Sequence, residues 1–290
     1  SAPYIEGILS TYIPFNFSSG GWYRGVIPKV NYRISNDMFK KGLTIMDIED
    51  HVQTGKDGSL EEFQRPVFVG ESKGKNVFMH SMSGSVRAYS VQATPNSAVY
   101  PRWGIGVEAG ASGSIESSSL LSPMGYFYTY GYVPGIMREH GIKLTAISQF
   151  KLNGNAVFGQ NTVNILPRGL SSNGALTSWL AIRSSVMSKV TADYALPVYI
   201  GDLSIGGSMF SIKRLVLTPH FDCTFFGKSS LWSAGADFIL DLHSILTFGW
   251  PCSFGVTFSY NGGPAFNTIV AESGISIDRW HVGPTFNVTF

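Results

Sequence analysis

The feature that most constrains this chain is a two-residue alternation of apolar and polar side chains that recurs along most of its length. It is clearest at the C-terminus, where residues 280–290 alternate between large apolar or proline residues and small or polar ones. A period of two is typical of a β-strand with one apolar and one polar face. Because hardly any stretch shows a helical period, the sequence predicts an all-β fold. The apolar side of the last strand contains Trp280, Val282, Phe286, Val288 and Phe290.

Composition separates the classes of all-β protein only in part. Charged residues make up 14% of the 290 residues, aromatic residues 13%, and there are 33 glycines. The charged fraction is low for a globular protein, yet no apolar run approaches the roughly 18 residues of a membrane helix. A soluble β-sandwich and a membrane β-barrel both fit these values. The net charge of +2, without a Lys/Arg cluster, predicts no nucleic-acid partner.

The strands after residue 184 favour the barrel. Their ionisable residues all fall on one face, and no charged residue interrupts the apolar face from strand to strand. A sandwich usually protects its edge strands with such charges, whereas a closed barrel has no edge to protect. We therefore expect one domain, residues 1–290, that forms a transmembrane antiparallel up-and-down β-barrel. About 12 strands are expected, with 14–16 as the alternative, and the predicted location is the bacterial outer membrane, in contact with its lipid.

Two long stretches interrupt the strand pattern. Residues 36–76 are too rich in charge to face lipid and predict a long polar loop or an extended hairpin. Residues 153–180 are rich in Asn, Gly and Ser and contain Arg168. If this loop folds into the lumen, Arg168 needs carboxylates, and Asp193 and Asp222 are inward by parity on the next two strands. An exposed loop in which Arg168 meets only water remains the alternative.

A run of alternating tyrosines lies between residues 126 and 132. Aromatic side chains with a polar end favour the boundary between membrane and water. We therefore expect Tyr126, Tyr128, Tyr130 and Tyr132 to contribute to such a belt.

Several short motifs follow one another along the second part of the chain. They are Tyr100-Pro101-Arg102-Trp103-Gly104, Tyr132-Val133-Pro134, Arg168-Gly169, Asp193-Tyr194-Ala195-Leu196-Pro197, Phe221-Asp222, Ser233-Ala234-Gly235 and the terminal aromatic. Their order resembles that in the barrel of Omp85 proteins, the surface-antigen D15 group, and the resemblance covers about residues 100–290. The signatures Pro-Gly at 134–135, His-Gly at 140–141 and Pro-Arg-Gly at 167–169 are similar to those of some Bacteroidetes-type barrels.

The resemblance implies a site and a function. Arg168 and Gly169 would lie on an inward loop that locks onto the wall through Asp193 and Asp222, and Phe290 would end the signal read during barrel insertion. The implied function is assembly or translocation of outer-membrane proteins through a lateral seam, with client barrels or outer-membrane and periplasmic subunits as partners. The sequence departs from the family in strand number, since Omp85 barrels have sixteen, and in showing no POTRA module. A plugged barrel that anchors a partner complex and a passive diffusion pore are the alternatives.

The sequence does not favour an enzyme. His220, Asp222 and Ser233 are inward by parity, but polar lumen residues more often form structural hydrogen-bond networks. No metal-ligand spacing and no phosphate-binding glycine loop is found. We therefore predict no catalytic residue, metal or cofactor.

Overall fold

A computed structural model describes most of the chain as β-structure. The strands bear out the all-β prediction, and the largest sheet is twelve-stranded and antiparallel in up-and-down order. Within the part of the chain that the structure describes, no helix is both long and apolar enough to cross a membrane. The described residues are 5–35, 44–54, 60–71, 79–95, 98–114, 121–152, 158–159, 164–171, 173, 176, 180, 184–205, 210–245, 252–273, 275 and 277–288.

The elements follow the sequence pattern closely in the large sheet and less closely outside it. The strands are β1 Glu6–Tyr12, β2 Phe15–Asn16, β3 Trp22–Ser35, β4 Thr44–Thr54, β5 Leu60–Glu71, β6 Met79–Gln92, β7 Gly104–Ser114, β8 Leu121–Ser122, β9 Met124–Pro134, β10 Gly141–Lys151, β11 Phe158–Gly159, β12 Val186–Ile205, β13 Phe210–Phe226, β14 Ser229–Ile245, β15 Cys252–Gly262 and β16 Trp280–Val288. Helix α1 is Ala265–Ser273, and a 3₁₀ turn spans Arg168–Leu170.

The large sheet is built from neighbours in sequence. Its order is β1-β3-β6-β7-β9-β10-β12-β13-β14-β15-β16, and the short β2 also pairs with β3. Ten antiparallel ladders therefore connect β1 to β16. In the described residues, β1 and β16 are the two ends of this order. Some of these neighbours are joined by short turns, such as Gly227–Lys228 between β13 and β14, whereas residues 36–78 separate β3 from β6.

The polar stretch 36–76 contains a hairpin of its own. Strands β4 and β5 pair with each other in a separate antiparallel two-stranded sheet. Residues 44–54 and 60–71 thus form a hairpin, while the rest of the stretch lies outside the described residues. Charged residues of these two strands, among them Asp47, Glu49 and Glu61, therefore lie outside the large sheet.

The two faces of the large sheet differ sharply in character. Directly opposed residues share a face, and one such row runs from Thr191 to Asp222, Ser233 and Asn261. We call this side, which also carries Asp193 and Asp237, the polar face. Asp193 is 8% exposed, and Asp222, Ser233 and Asn261 have no exposed surface.

The opposite side, which we call the apolar face, is exposed. Phe221, Phe254 and Phe286 lie on it and are 47%, 42% and 61% exposed. The Phe254 and Phe286 rings are in contact, with centroids 4.8 Å apart. Buried polar and exposed aromatic side chains on the same strands reverse the usual order of a protein in water.

The tyrosine prediction was wrong about the face. Tyr130 lies opposite Thr145 in the ladder and therefore on the polar face, where it is buried and its hydroxyl accepts a hydrogen bond from Arg87 Nη2 (3.0 Å). The Tyr126 hydroxyl also makes a hydrogen bond, as the donor to Glu108 Oε1 (2.7 Å). The inward position is possible because the residue facing Tyr130 on β7 is Gly106. A Cβ on that glycine would lie 2.2 Å from the ring.

An apolar cluster lies beside the ends of two strands of the sheet. It joins residues 165–170, Leu176 and Leu180 to helix α1 and to Met187 and Leu231 near the starts of β12 and β14. Phe266 and Ile269, one turn apart on α1, supply its helical part. This cluster and α1 did not emerge from the strand pattern. Its buried members are Ile165, Leu166, Leu170, Leu176, Leu180, Met187, Leu231, Ala265, Phe266, Ile269 and Ile277.

Candidate functional site: a segment docked on the polar face

Residues 164–171 form a segment that lies against the polar face, and we call it the docked segment. Pro167 precedes the 3₁₀ turn with φ −56° and ψ 152°, and the N–H of Leu170 donates to its carbonyl (2.9 Å). Proline holds φ near this value without strain, so it enters the turn in the required conformation. The turn directs Arg168 along the polar face and turns Leu170 into the apolar cluster.

The Arg168 guanidinium is surrounded by carboxylates from three successive strands. Nη2 donates to Asp193 Oδ1 on β12 (2.6 Å) and to Asp222 Oδ1 on β13 (3.3 Å). Nη1 donates to Asp237 Oδ2 on β14 (2.7 Å). A planar guanidinium with several donors suits such multiple contacts, and charge-assisted bonds are stronger than neutral ones. The Arg168 side chain thus connects three neighbouring strands of the large sheet.

Asp222 contacts both the side chain and the backbone of Arg168. Its Oδ2 accepts the Arg168 backbone N–H (2.8 Å), while Oδ1 faces the guanidinium. The Asp222 side chain is fully buried, and that of Arg168 is 28% exposed. Since a buried carboxylate without partners is costly, Asp222 depends on these two contacts.

The charges around the docked segment set its electrostatics. Burial by itself would lower the pKa of Arg168, but the negative charges of Asp222 and Asp193 outweigh it, so the pKa is raised. Nearby, burial raises the pKa of Tyr100 well above its usual value of 10.0, and the charge of Asp193 adds to the effect. Arg168 therefore stays cationic, and Tyr100 stays neutral.

Polar side chains of the sheet also bind the backbone of the docked segment, in addition to the Arg168 side chain. Lys189 Nζ donates to the Leu166 carbonyl (2.6 Å), and Thr224 Oγ1 donates to the Ile165 carbonyl (2.6 Å). Both donors lie on the polar face of strands that also hold Arg168. Because carbonyl groups removed from water need partners, these bonds let the segment leave solvent.

Gly169 packs closely against Asn261 on β15. Asn261 Nδ2 donates to the Gly169 carbonyl (3.3 Å) and to the Asp278 carbonyl (3.0 Å). A Cβ on Gly169 would lie 2.2 Å from Asn261 Oδ1, so either residue 169 or the Asn261 side chain would have to shift. The close approach accounts for glycine at this position.

The structure brings the four residues predicted for the lock into one place. Arg168, Asp193 and Asp222 are in direct contact, and Gly169 packs against β15. Sequence reasoning missed Asp237 as a partner, although its parity placed it on the same face. It also missed Lys189, Thr224 and Asn261, whose signal was the same alternation.

Of the polar residues considered for catalysis, Asp222 binds Arg168, whereas His220 has contacts of its own. His220 Nε2 lies 3.2 Å from Ser259 Oγ, and its Nδ1 lies 3.5 Å from Asp237 Oδ2. Ser233, the serine considered in the sequence, is fully buried, and within the described part of the chain its hydroxyl has no hydrogen-bond partner. Ser259 is 1% exposed, so its hydroxyl is closed to a substrate in this conformation.

The predicted C-terminal strand is β16. Trp280, Val282 and Phe286 are exposed on the apolar face, and the Trp280 ring packs on Tyr260 with centroids 4.9 Å apart. Val288 pairs with Cys252 at the end of the ladder. Phe290 lies outside the described residues. No structural observation therefore bears on Phe290.

The site matches no family model or curated protein by sequence, and its described residues do not form a metal site. No known family model matches this sequence, and no curated protein matches it significantly. Among the residues with described placement, no group of three or more His, Cys, Asp or Glu side chains could hold a metal ion. The site is therefore interpreted from its own geometry.

Proposed function

We propose that this chain forms a β-barrel in a bacterial outer membrane. The support is the reversed burial of the large sheet, whose apolar face exposes Phe221, Phe254 and Phe286 while its polar face buries Asp222. In a barrel the apolar face meets lipid and the polar face encloses the lumen. A backbone in hydrocarbon must satisfy every N–H and C=O, which requires closure of the sheet.

A barrel formed by the twelve-stranded sheet has room for a plug. Eight-stranded barrels are filled by their own side chains, and larger ones leave space inside. The docked segment and the apolar cluster occupy that space beside β12, β13 and β14. Held by charge-assisted bonds, the segment obstructs free diffusion, which disfavours a passive pore.

The proposed role is assembly or translocation of outer-membrane proteins, as in Omp85 proteins. The observation that carries it is the Arg168–Gly169 turn locked onto Asp193 and Asp222, the feature by which the sequence resembles that family. Arg168 ties β12, β13 and β14 into a rigid wall. Opening for a client β-segment then falls to a seam between the β1 and β16 sides.

The test is reconstitution of the protein in vesicles of outer-membrane lipid. The rate at which a urea-unfolded client barrel folds into these vesicles is followed by its heat-modifiable migration on gels. We expect faster client folding than in vesicles carrying an unrelated eight-stranded barrel. Arg168→Ala should reduce the acceleration while the protein remains inserted.

Three results would contradict this proposal in whole or in part. An inserted protein without any acceleration would favour the second role, a plugged barrel that anchors a partner complex. A large, steady conductance in planar bilayers would contradict a plugged lumen and favour a diffusion pore. Recovery of the folded chain as a monodisperse protein without detergent would overturn the membrane proposal itself.

A further inference from the structure

A second feature of the polar face lies away from the docked segment, on strands β1, β3, β6 and β7. Here the face forms a cavity of about 460 Å³. Small-molecule sites usually measure about 300–1,000 Å³, so the volume suits a ligand the size of a monosaccharide. Its lining includes Ser10, Lys29, Asn31, Arg33, Ser83 and Ser112.

The ladder register shows that these residues share one side of the sheet. Asn31 faces Ser83, and Ser83 in turn faces Ser112. The next row places Lys29 opposite Ser85, which lies opposite Gly110. Because directly opposed residues point the same way, serine hydroxyls, an amide and a cation converge on one space.

Two polar atoms of this cavity are buried without a hydrogen-bond partner among the residues that the structure describes. Ser112 is 8% exposed, and its hydroxyl bonds to none of these residues. Asn31 donates through Nδ2 to Ser83 Oγ (3.0 Å), yet its Oδ1 is buried and accepts none. Buried polar groups are almost always paired, so an unpaired hydroxyl and an unpaired carbonyl in the same row, on either side of Ser83, indicate a missing partner.

The charge of the cavity is positive. Arg33 Nε is paired with Glu6 Oε1 at 2.5 Å, which neutralises that cation. Lys29 makes no ion pair with any residue that the structure describes, and its ammonium is exposed toward the cavity side. The wall therefore offers one uncompensated cation beside hydroxyl and amide groups.

We propose that this cavity binds a small hydroxylated anion, such as a sugar acid or a sugar phosphate. Lys29 contacts the anionic group. The ligand's hydroxyls donate to Asn31 Oδ1 and exchange hydrogen bonds with Ser112 Oγ and Ser83 Oγ. This binding site is independent of the proposed role in protein assembly, since neither the docked segment nor a seam takes part in it.

The experiment is isothermal titration of the full protein in detergent, at millimolar ligand, with four probes. Glucuronate carries a carboxylate and hydroxyls, glucose 6-phosphate a phosphate and hydroxyls, glucose only hydroxyls, and acetate only charge. We expect glucuronate or glucose 6-phosphate to bind at least about tenfold more tightly than glucose and acetate. The tighter of the two identifies the anionic group.

Variants tie the binding to the cavity. Lys29→Met should weaken the tighter ligand about tenfold, and Ser112→Ala should weaken it less, since a neutral hydrogen bond contributes less than a charged one. Lys228→Met, in the β13–β14 turn, is the matched control and should leave binding unchanged. Lys29→Gln serves if the methionine variant fails to fold.

The proposal is overturned by any of three results: neither anionic sugar binds at about 10 mM, glucose or acetate binds as tightly as they do, or the folded Lys29 variants bind like the parent protein. Folding of each variant is checked by heat-modifiable gel migration.

Discussion

Gly169 and Asn261 are in such close contact that the side-chain oxygen of Asn261 occupies the space where a Cβ of residue 169 would be. The distance from that built Cβ to Oδ1 is 2.2 Å. At the same time, the Asn261 amide holds the Gly169 carbonyl. Docking of the whole segment thus depends on the absence of a single methyl group.

Gly169→Ala should therefore displace the docked segment. We expect a loss of about 1–3 kcal/mol in unfolding free energy, the usual cost of overpacking, and faster protease cleavage between residues 153 and 184. Gly84→Ala is the control, because nothing lies within 4 Å of its built Cβ. Equal cleavage of both variants and the parent would show that the segment is not docked in solution.

Removal of the Arg168 side chain should free the loop and leave three carboxylates facing one another. Arg168→Ala is expected to cost about 3 kcal/mol, since it breaks a largely buried ion cluster from one side. Arg168→Lys should recover only part of this loss, because an ammonium cannot contact three strands in a plane. Urea unfolding followed by tryptophan fluorescence measures both. Full recovery by lysine would mean that charge alone matters.

The carboxylates should differ in importance. Asp222→Asn should destabilise more than Asp193→Asn, because Asp222 is fully buried and also accepts the Arg168 backbone N–H. The losses in Arg168→Ala and Asp222→Asn should sum to more than the loss in the double variant, by about 1–3 kcal/mol, as expected for residues in contact. If the two losses are strictly additive in this double-mutant cycle, Arg168 and Asp222 do not stabilise each other, which would contradict the contact.

Adjacent residues on β16 test which face meets lipid. Phe286→Lys would place an ammonium on the apolar face and should cost about 2–4 kcal/mol near the bilayer centre, with reduced insertion. Thr285→Lys changes the neighbouring position, whose side chain is on the polar face, and should cost less than about 1 kcal/mol. Vesicle insertion and urea unfolding give both values. The reverse order would contradict a lipid-facing apolar surface.

Tyr100 should give stability a dependence on alkaline pH. Its pKa is raised in the folded protein by burial and by Asp193, so the neutral phenol is favoured in the fold. Its contribution is fully present below the unfolded pKa of 10.0 and is lost as pH rises above that value. The unfolding free energy should fall by up to about 1.4 kcal/mol per pH unit more in the parent than in Tyr100→Phe. Parallel curves above pH 10 would exclude this role.

Alternation alone placed Asp193 and Asp222 correctly beside Arg168, because the period of a strand determines which side chains share a face. It could not show that Asp237 joins them, since that depends on how far the loop reaches across the sheet. The tyrosines of β9 were assigned to the wrong environment for a related reason. Room for a ring on the polar face comes from Gly106, on another strand, and only the register brings the two together.

Helix α1 was missed because its apolar positions are too few to show a helical period within nine residues. Phe266 and Ile269 are buried in one cluster with Leu166 and Leu170, which come from another part of the chain. Contacts of this kind depend on tertiary packing, which decides the structure of short segments.

The ten antiparallel ladders have a consequence for any opening in the wall. Each ladder reverses chain direction, so after ten reversals β16 runs the same way as β1. If those two edges meet directly, they do so as parallel strands, whose slanted hydrogen bonds are slightly weaker per residue. In the proposed barrel this junction would then be the weakest strand pairing, and it does not involve the three strands that Arg168 joins.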